Sequence, residues 1–210
     1  MAKIDELEVA VQNGKSKVAA QLAQEALDEG SKPAEVLDAM VRAMGVVGEK
    51  FSAGEIFVPE MLVAAKAMKK GMEVINPLLK GADAQSLGKC IIGTVKGDLH
   101  DIGKNLVSTM IGAAGFDMID LGVDVPVEKF VETIEANPDV KVVALSALLT
   151  TTMQSMADTA EALKPLREKY GFKMIVGGAP ITQAFADEIG ADGYSVDAGA
   201  AATLAKSLVA

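Results

Sequence analysis

Lys96–Val107 reads KGDLHDIGKNLV and follows directly on the apolar run Cys90–Val95, CIIGTV. An apolar run that ends in a glycine-rich polar turn and then opens a helical pattern is the strand–turn–helix step of an α/β fold. Folds of that kind gather their ligands at the carboxyl ends of the strands. The turn carries His100, the single histidine of the chain, with Asp98 two residues before it. An imidazole placed there can act as metal ligand, proton carrier or hydrogen-bond donor, and a lone surface histidine can equally do none of these. The pattern on either side of the turn has to decide.

Downstream, strands and helices alternate to the end of the chain. Lys89–Val95 reads as a buried strand and Ile102–Ala114 as a helix, then Asp117–Leu121 as a strand and Val127–Ala136 as a helix. Val140–Leu145 is a third strand, followed by a helix over Thr152–Lys169. Phe172–Val176 is a fourth, ending in Gly177-Gly178 before a helix near Ile181–Ile189. Gly193–Val196 is a short fifth strand, and Ala198–Val209 the last helix. Such alternation predicts a parallel sheet covered on both faces through right-handed crossovers. The expected form is a flavodoxin-like, doubly wound (Rossmann-like) five-stranded sheet over residues 89–210.

Upstream, residues 1–80 show no strand pattern. Helical spacing is found over Ile4–Val11 and Lys15–Leu27. A third helix is expected from an N-cap at Ser31, with Pro33 in its first turn, through Met44. A fourth begins near Phe57-Val58-Pro59 and runs towards Leu79. Four short helices joined by tight turns predict a bundle. Residues 81–88, GADAQSLG, are small, polar and glycine-flanked, as a linker between the two modules would be.

Composition narrows the function classes. Half of the 210 residues are hydrophobic, only 4% are aromatic and none is tryptophan, which suits packed helices and a buried parallel sheet. A net charge of −9 argues against nucleic-acid binding, which needs a concentrated positive surface. No apolar span is long enough to cross a bilayer, and no signal-like segment opens the chain. The single cysteine, Cys90, sits in an apolar strand and fits a reducing compartment. A cytoplasmic protein without nucleic-acid or membrane partners is expected.

Three polar or glycine-rich features fall at carboxyl ends of strands: Gly97–Gly103 after the first, Ser146–Thr152 after the third and Gly177-Gly178 after the fourth. Alone, each is a turn or a helix cap. The expected fold brings them to one rim.

Asp98-x-His100-x-x-Gly103, Ser146-x-Leu148 and Gly177-Gly178 together resemble the signature of cobalamin-binding domains of the methionine synthase type. The helical module resembles that family's cap domain, notably through GEIFVPEMLVAAKAMKKGM at residues 54–72. The resemblance covers nearly the whole chain. With two modules and no catalytic barrel, it is nearest to the stand-alone corrinoid proteins of methyltransferase systems.

That resemblance implies a cofactor, cobalamin or a related corrinoid, carried as methylcobalamin in one of its states. His100 would displace the cofactor's own base and bind cobalt from below. Asp98 would hold the other ring nitrogen, the usual second partner of a metal-bound imidazole. The family completes this relay with a hydroxyl, usually serine, and the matching residue here is Thr152. Gly97, Asp101 and Leu148 fall on the two loops that contact the cofactor. Gly103, Gly177 and Gly178 would clear a path for the displaced nucleotide tail, and Ser146 and Thr150 would hydrogen-bond its base. Gly193, Tyr194 and Ser195 border the same rim. Phe57, with Val58 and Leu62, falls on the family's lid segment, where an aromatic is either lid or bundle core. The methionines Met40, Met44, Met61 and Met68 read as adaptable core.

The implied function is methyl carriage. Cobalt(I) would accept a methyl group from a substrate-specific methyltransferase of the methanol, methylamine, betaine or methoxyaromatic type. Methyl-cobalt(III) would then pass it to a second methyltransferase acting on tetrahydrofolate or a thiol. The chain would be a carrier subunit rather than a complete enzyme, with a reductive activase as a further partner and Gly81–Gly88 as the hinge of a moving cap. A B12-dependent sensor or photoreceptor and the cobalamin subunit of an adenosylcobalamin mutase share the same binding module. The first needs an output domain and the second a covering barrel, and neither pattern is evident in the sequence.

Overall fold

A computed structural model describes residues 2–79 and 86–209. The chain divides into two compact units, Met1–Gln85 and Ser86–Ala210. Most of the expected linker, residues 81–85, lies outside the described residues. The remainder of it belongs to the second unit: the Leu87 amide donates to the Gly115 carbonyl at 2.9 Å.

The first unit holds four helices, α1 (Lys3–Gln12), α2 (Ser16–Asp28), α3 (Pro33–Ser52) and α4 (Val58–Ile75). Each buries one stripe, with Leu7 and Val11 on α1, Leu22 on α2, Val36 and Met40 on α3, and Met61 and Met68 on α4. The pattern is that of a bundle: α2 packs on α1 and α4, and α3 on the same two helices. Buried alanines such as Ala23, Ala43 and Ala64 let the axes approach closely. Two boundaries differ from expectation. The third helix continues past Met44 to Ser52, because Val47 extends the buried stripe and its packing outweighs about 1 kcal/mol for each of Gly45 and Gly48. The fourth stops at Ile75 rather than near Leu79, since Pro77 has no N–H to continue the helical ladder and the Leu78 amide closes a tighter turn onto the Ile75 carbonyl at 2.8 Å.

The second unit is a parallel sheet with strands β1 (Lys89–Thr94), β2 (Asp117–Asp120), β3 (Val140–Ser146), β4 (Lys173–Gly177) and β5 (Gly193–Ser195). They lie side by side in the order β2-β1-β3-β4-β5. Between and after them run α5 (Ile102–Ala113), α6 (Val127–Ala136), α7 (Met153–Tyr170), α8 (Gln183–Glu188) and α9 (Ala198–Val209), with one 3₁₀ turn at Thr150–Thr152 ahead of α7. Ile91, Val143 and Leu145 share a core cluster with Phe130 of α6 and Leu163 of α7. Side chains alternate along a strand, so the equally buried Cys90, Ile92, Val142 and Ala144 point to the other face. β1 and β3 are therefore buried on both sides, which is why they read as continuous apolar runs.

This strand order sets the position of the site. The chain reverses its winding between β1 and β3, and the loops leaving those two strands diverge there to form a crevice. At the carboxyl edge, Thr94, Ser146, Gly177 and Ser195 stand in one register row across four strands. The loops after β1, β3, β4 and β5 thus start from one level of the sheet. Among the described residues no helix is long and apolar enough to cross a membrane.

Candidate functional site

The loop after β1 is built by its own backbone. Gly97 turns the chain at φ +84°, a conformation that favours glycine, and the Asp98 amide closes back onto the Val95 carbonyl at 3.2 Å. The buried hydroxyl of Thr94 donates to the His100 carbonyl at 2.9 Å, and α5 begins two residues later. His100 is thereby held at the lip of the crevice with its side chain 49% exposed.

Asp98 lies wholly buried behind it. Its Oδ1 accepts from the His100 amide at 3.1 Å and meets the imidazole Nδ1 at 2.6 Å. Its Oδ2 accepts from the amides of Leu148 at 2.7 Å and Leu149 at 3.3 Å, and from the Thr152 hydroxyl at 2.8 Å. Burial alone would raise the carboxyl's pKa. The Leu148 N–H, the imidazole, the His100 N–H and the Thr152 hydroxyl outweigh it and hold Asp98 well below the usual carboxylate range. An ionised carboxylate only accepts, so the proton of the 2.6 Å contact sits on Nδ1 and the lone pair on Nε2. Nε2 is then the atom able to coordinate a metal.

Asp98 also bridges the crevice, because its partners Leu148, Leu149 and Thr152 belong to the loop after β3. Thr152 is buried and its hydroxyl also lies 2.9 Å from the Leu149 carbonyl, so one proton serves two acceptors. Ser146 ends β3 half-buried, and Thr150 is exposed in the 3₁₀ turn. Asp101, the N-cap of α5, is exposed and its carboxylate accepts from the Asn105 amide group at 3.1 Å. Gly103, in the first turn of α5, faces open space where a Cβ would be. The two other glycines have neighbours: a Cβ on Gly177 would come 3.3 Å from the Ser195 carbonyl oxygen, and one on Gly178 would overlap the Ala147 carbonyl oxygen. Gly178 is thus required by the protein's own backbone, whereas at Gly177 the contact is tight without being an overlap. Phe57, in the helical unit, stands at the head of α4 and is 68% exposed, so it does not serve the bundle core.

Several residues besides Leu148, already placed at the site, escape the sequence reading. The exposed large hydrophobics of the second unit, among the described residues, are Leu99, Ile102, Leu148, Leu149 and Val196. All five follow β1, β3 or β5 at the carboxyl edge, an apolar rim of the kind that marks a ligand or partner site. Their signal was present in the sequence, since Leu99 and Ile102 are apolar residues inside an otherwise polar turn. Lys104 of α5 is buried too, with its ammonium 2.5 Å from Asp120 and 2.7 Å from the Asn105 side chain, which fastens α5 to the end of β2.

The donor set fits a metal that brings most of its own ligands. Among the described residues no group of three or more His, Cys, Asp or Glu could hold a metal ion. One oriented imidazole beside an apolar rim suits a macrocycle, whose ring nitrogens occupy the equatorial positions and leave an axial one to the protein. Fold and site together define a protein of the macrocycle-bound metal-cofactor class.

The comparisons with known proteins agree. Residues 88–204 match the B12 binding domain model, and residues 3–76 match a second model of that description. The chain is 45% identical over 186 residues, 87% of this chain and 85% of the relative, to trimethylamine corrinoid protein 1 of Methanosarcina acetivorans. A cobalamin-binding protein from Desulfitobacterium hafniense superposes with a TM-score of 0.83 at 31% identity, covering 99% of this chain and 98% of that one. The methanol:cobalamin methyltransferase complex of Methanosarcina barkeri gives 0.80 at 28% identity, over 99% of this chain and 79% of the other. The chain belongs to the family of B12-binding corrinoid proteins, and its cofactor is a corrinoid.

Proposed function

We propose that the chain is a corrinoid methyl carrier in which His100 is the lower axial ligand of cobalt. The observation that carries this reading is the 2.6 Å contact of the buried Asp98 carboxyl with His100 Nδ1, which leaves Nε2 as the ring nitrogen open to a metal. When bound, the corrinoid supplies a cobalt centre able to take up and give away a methyl group. The chain's own residues orient the imidazole and regulate its proton. Asp98 would fix the tautomer and orientation of the ring while the ring is a ligand. Should the ring leave the metal, the Asp98–His100 pair would take a proton from solvent while Thr152 keeps Asp98 Oδ2 in place. Ser146 and Thr150 would hydrogen-bond the displaced tail base, and the open space at the Gly103 Cβ position would leave room for the tail beside α5.

Methyl donor and acceptor bind on other polypeptides in this scheme. The relative's name, a trimethylamine corrinoid protein, and the methyltransferase complex among the similar folds favour a substrate-specific methyltransferase as the first partner. A second methyltransferase, acting on tetrahydrofolate or a thiol, and a reductive activase complete the proposal. The protein, loaded with hydroxocobalamin and reduced, is mixed with methyltransferase subunits for methylamines, methanol, betaine or methoxyaromatics and their substrates. Uptake of about one methyl group per corrinoid is expected with one of these classes. No uptake with any of them, by protein that binds the corrinoid, contradicts methyl carriage.

A further inference from the structure

The loop that presents His100 is strapped from outside by one residue, Asp124, on the loop between β2 and α6. Its carboxylate Oδ1 accepts from the Gly97 amide at 2.7 Å, and its own amide donates to the Asp98 carbonyl at 2.9 Å. These two bonds enclose Gly97 and Asp98, the pair immediately before the ligand segment. Asp98 in turn holds His100 by both its amide and its ring.

Asp124 makes these bonds from a strained backbone. Its φ is +51°, and it is the one non-glycine residue with positive φ among the described residues. Such a conformation persists only where the surroundings over-determine it, and it concentrates at functional sites. Here the surroundings are the next residue, Val125, which is buried, bridges Val95 in parallel and donates its amide to the Thr94 carbonyl at 3.0 Å.

We infer that Asp124 is a positioning residue for the metal ligand: its two-point bond to Gly97 and Asp98 sets the pose in which Asp98 aims Nε2 of His100. This rests on the ligation reading above and names a residue that the histidine motif does not contain. The geometry assigns the task to an oxygen acceptor on a side chain that tolerates positive φ. Aspartate and asparagine meet both conditions. Glycine meets only the second.

The test uses the full chain, loaded with hydroxocobalamin, and three variants. Asp124→Gly keeps the N–H bond, relieves the backbone strain and removes the acceptor. It should lower the ratio of His-on to His-off cobalamin, read from the absorption spectrum at neutral pH, by about tenfold, the size of one charge-assisted hydrogen bond. The urea midpoint of its cofactor-free form should stay level or rise. Asp124→Asn should restore the ratio to within about threefold of the wild type, as a neutral acceptor does. His100→Ala separates the two claims. If its spectrum equals the wild type's, the ligation reading falls and this inference with it. If His100→Ala loses the His-on spectrum and Asp124→Gly keeps it, only the inference on Asp124 is overturned. An equal loss of cofactor-free stability in both Asp124 variants would assign the residue to folding and overturn it as well.

Discussion

Asp98 is the residue on which the site turns, and its protonation links the site to stability. Buried and held by five donor groups, its carboxyl titrates below the ordinary aspartate value. In the unfolded chain the same group titrates near ~3.9. Between those values the unfolded chain binds a proton that the folded chain does not, so acid destabilises the fold. The stabilisation Asp98 contributes is complete above the unfolded value and is lost as pH falls through the folded one. Urea unfolding of the cofactor-free protein, followed from about pH 6 to pH 3, should show stability falling with acid. In Asp98→Asn the slope should be shallower by up to about 1.4 kcal/mol per pH unit, the size of one proton. An unchanged slope would mean that Asp98 is not held ionised. At this scale the sequence sets Asp98 two residues before His100, and its role as partner of the ring nitrogen came from the family resemblance. Thr152 was legible only through the family resemblance, because it joins Asp98 from 54 positions away. Asp124 left no signal, since nothing in LGVDVP announces a positive φ at an aspartate.

Loops set by register explain the glycines, and two of them separate architecture from binding. Gly178 has φ +130°, and an added Cβ would overlap the Ala147 carbonyl oxygen, which is backbone and cannot yield cheaply. Gly178→Ala should cost about 3 kcal/mol in urea unfolding, from strain and overpacking together. Gly103 sits in helical backbone with open space at the Cβ position. Gly103→Ala should leave stability level or raise it by up to about 1 kcal/mol while weakening corrinoid uptake, the signature of a residue kept small for a ligand. A Gly103→Ala protein that takes up corrinoid as well as the wild type would contradict that role. The strands themselves were legible because β1 and β3 are buried on both faces and read as unbroken apolar runs. The ends of α3 and α4 were less so. Gly45 and Gly48 look like breakers until Val47 is seen to be buried, and Pro77 ends α4 by lacking the N–H its ladder needs.

At the scale of the molecule, the alternation of strands and helices made the parallel sheet legible, and the order β2-β1-β3-β4-β5 then fixes where the site must lie. The reversal between β1 and β3 places the His100 loop against the Thr152 loop, and a single buried carboxylate joins them. The apolar rim was hidden from a reading by periodicity, because Leu99, Leu149 and Val196 lie in loops and Ile102 opens α5, where no repeat exposes them. The measurement that tests cobalt ligation most directly uses the fact that the chain has one histidine. Protein grown on histidine labelled with ¹⁵N in the ring is loaded with cobalamin and reduced to the cobalt(II) state. Its electron paramagnetic resonance is compared with that of unlabelled protein. If His100 is the axial ligand, the threefold nitrogen splitting of each cobalt line becomes twofold on labelling. A splitting that stays threefold would show the cofactor's own base still on the metal and would contradict the account.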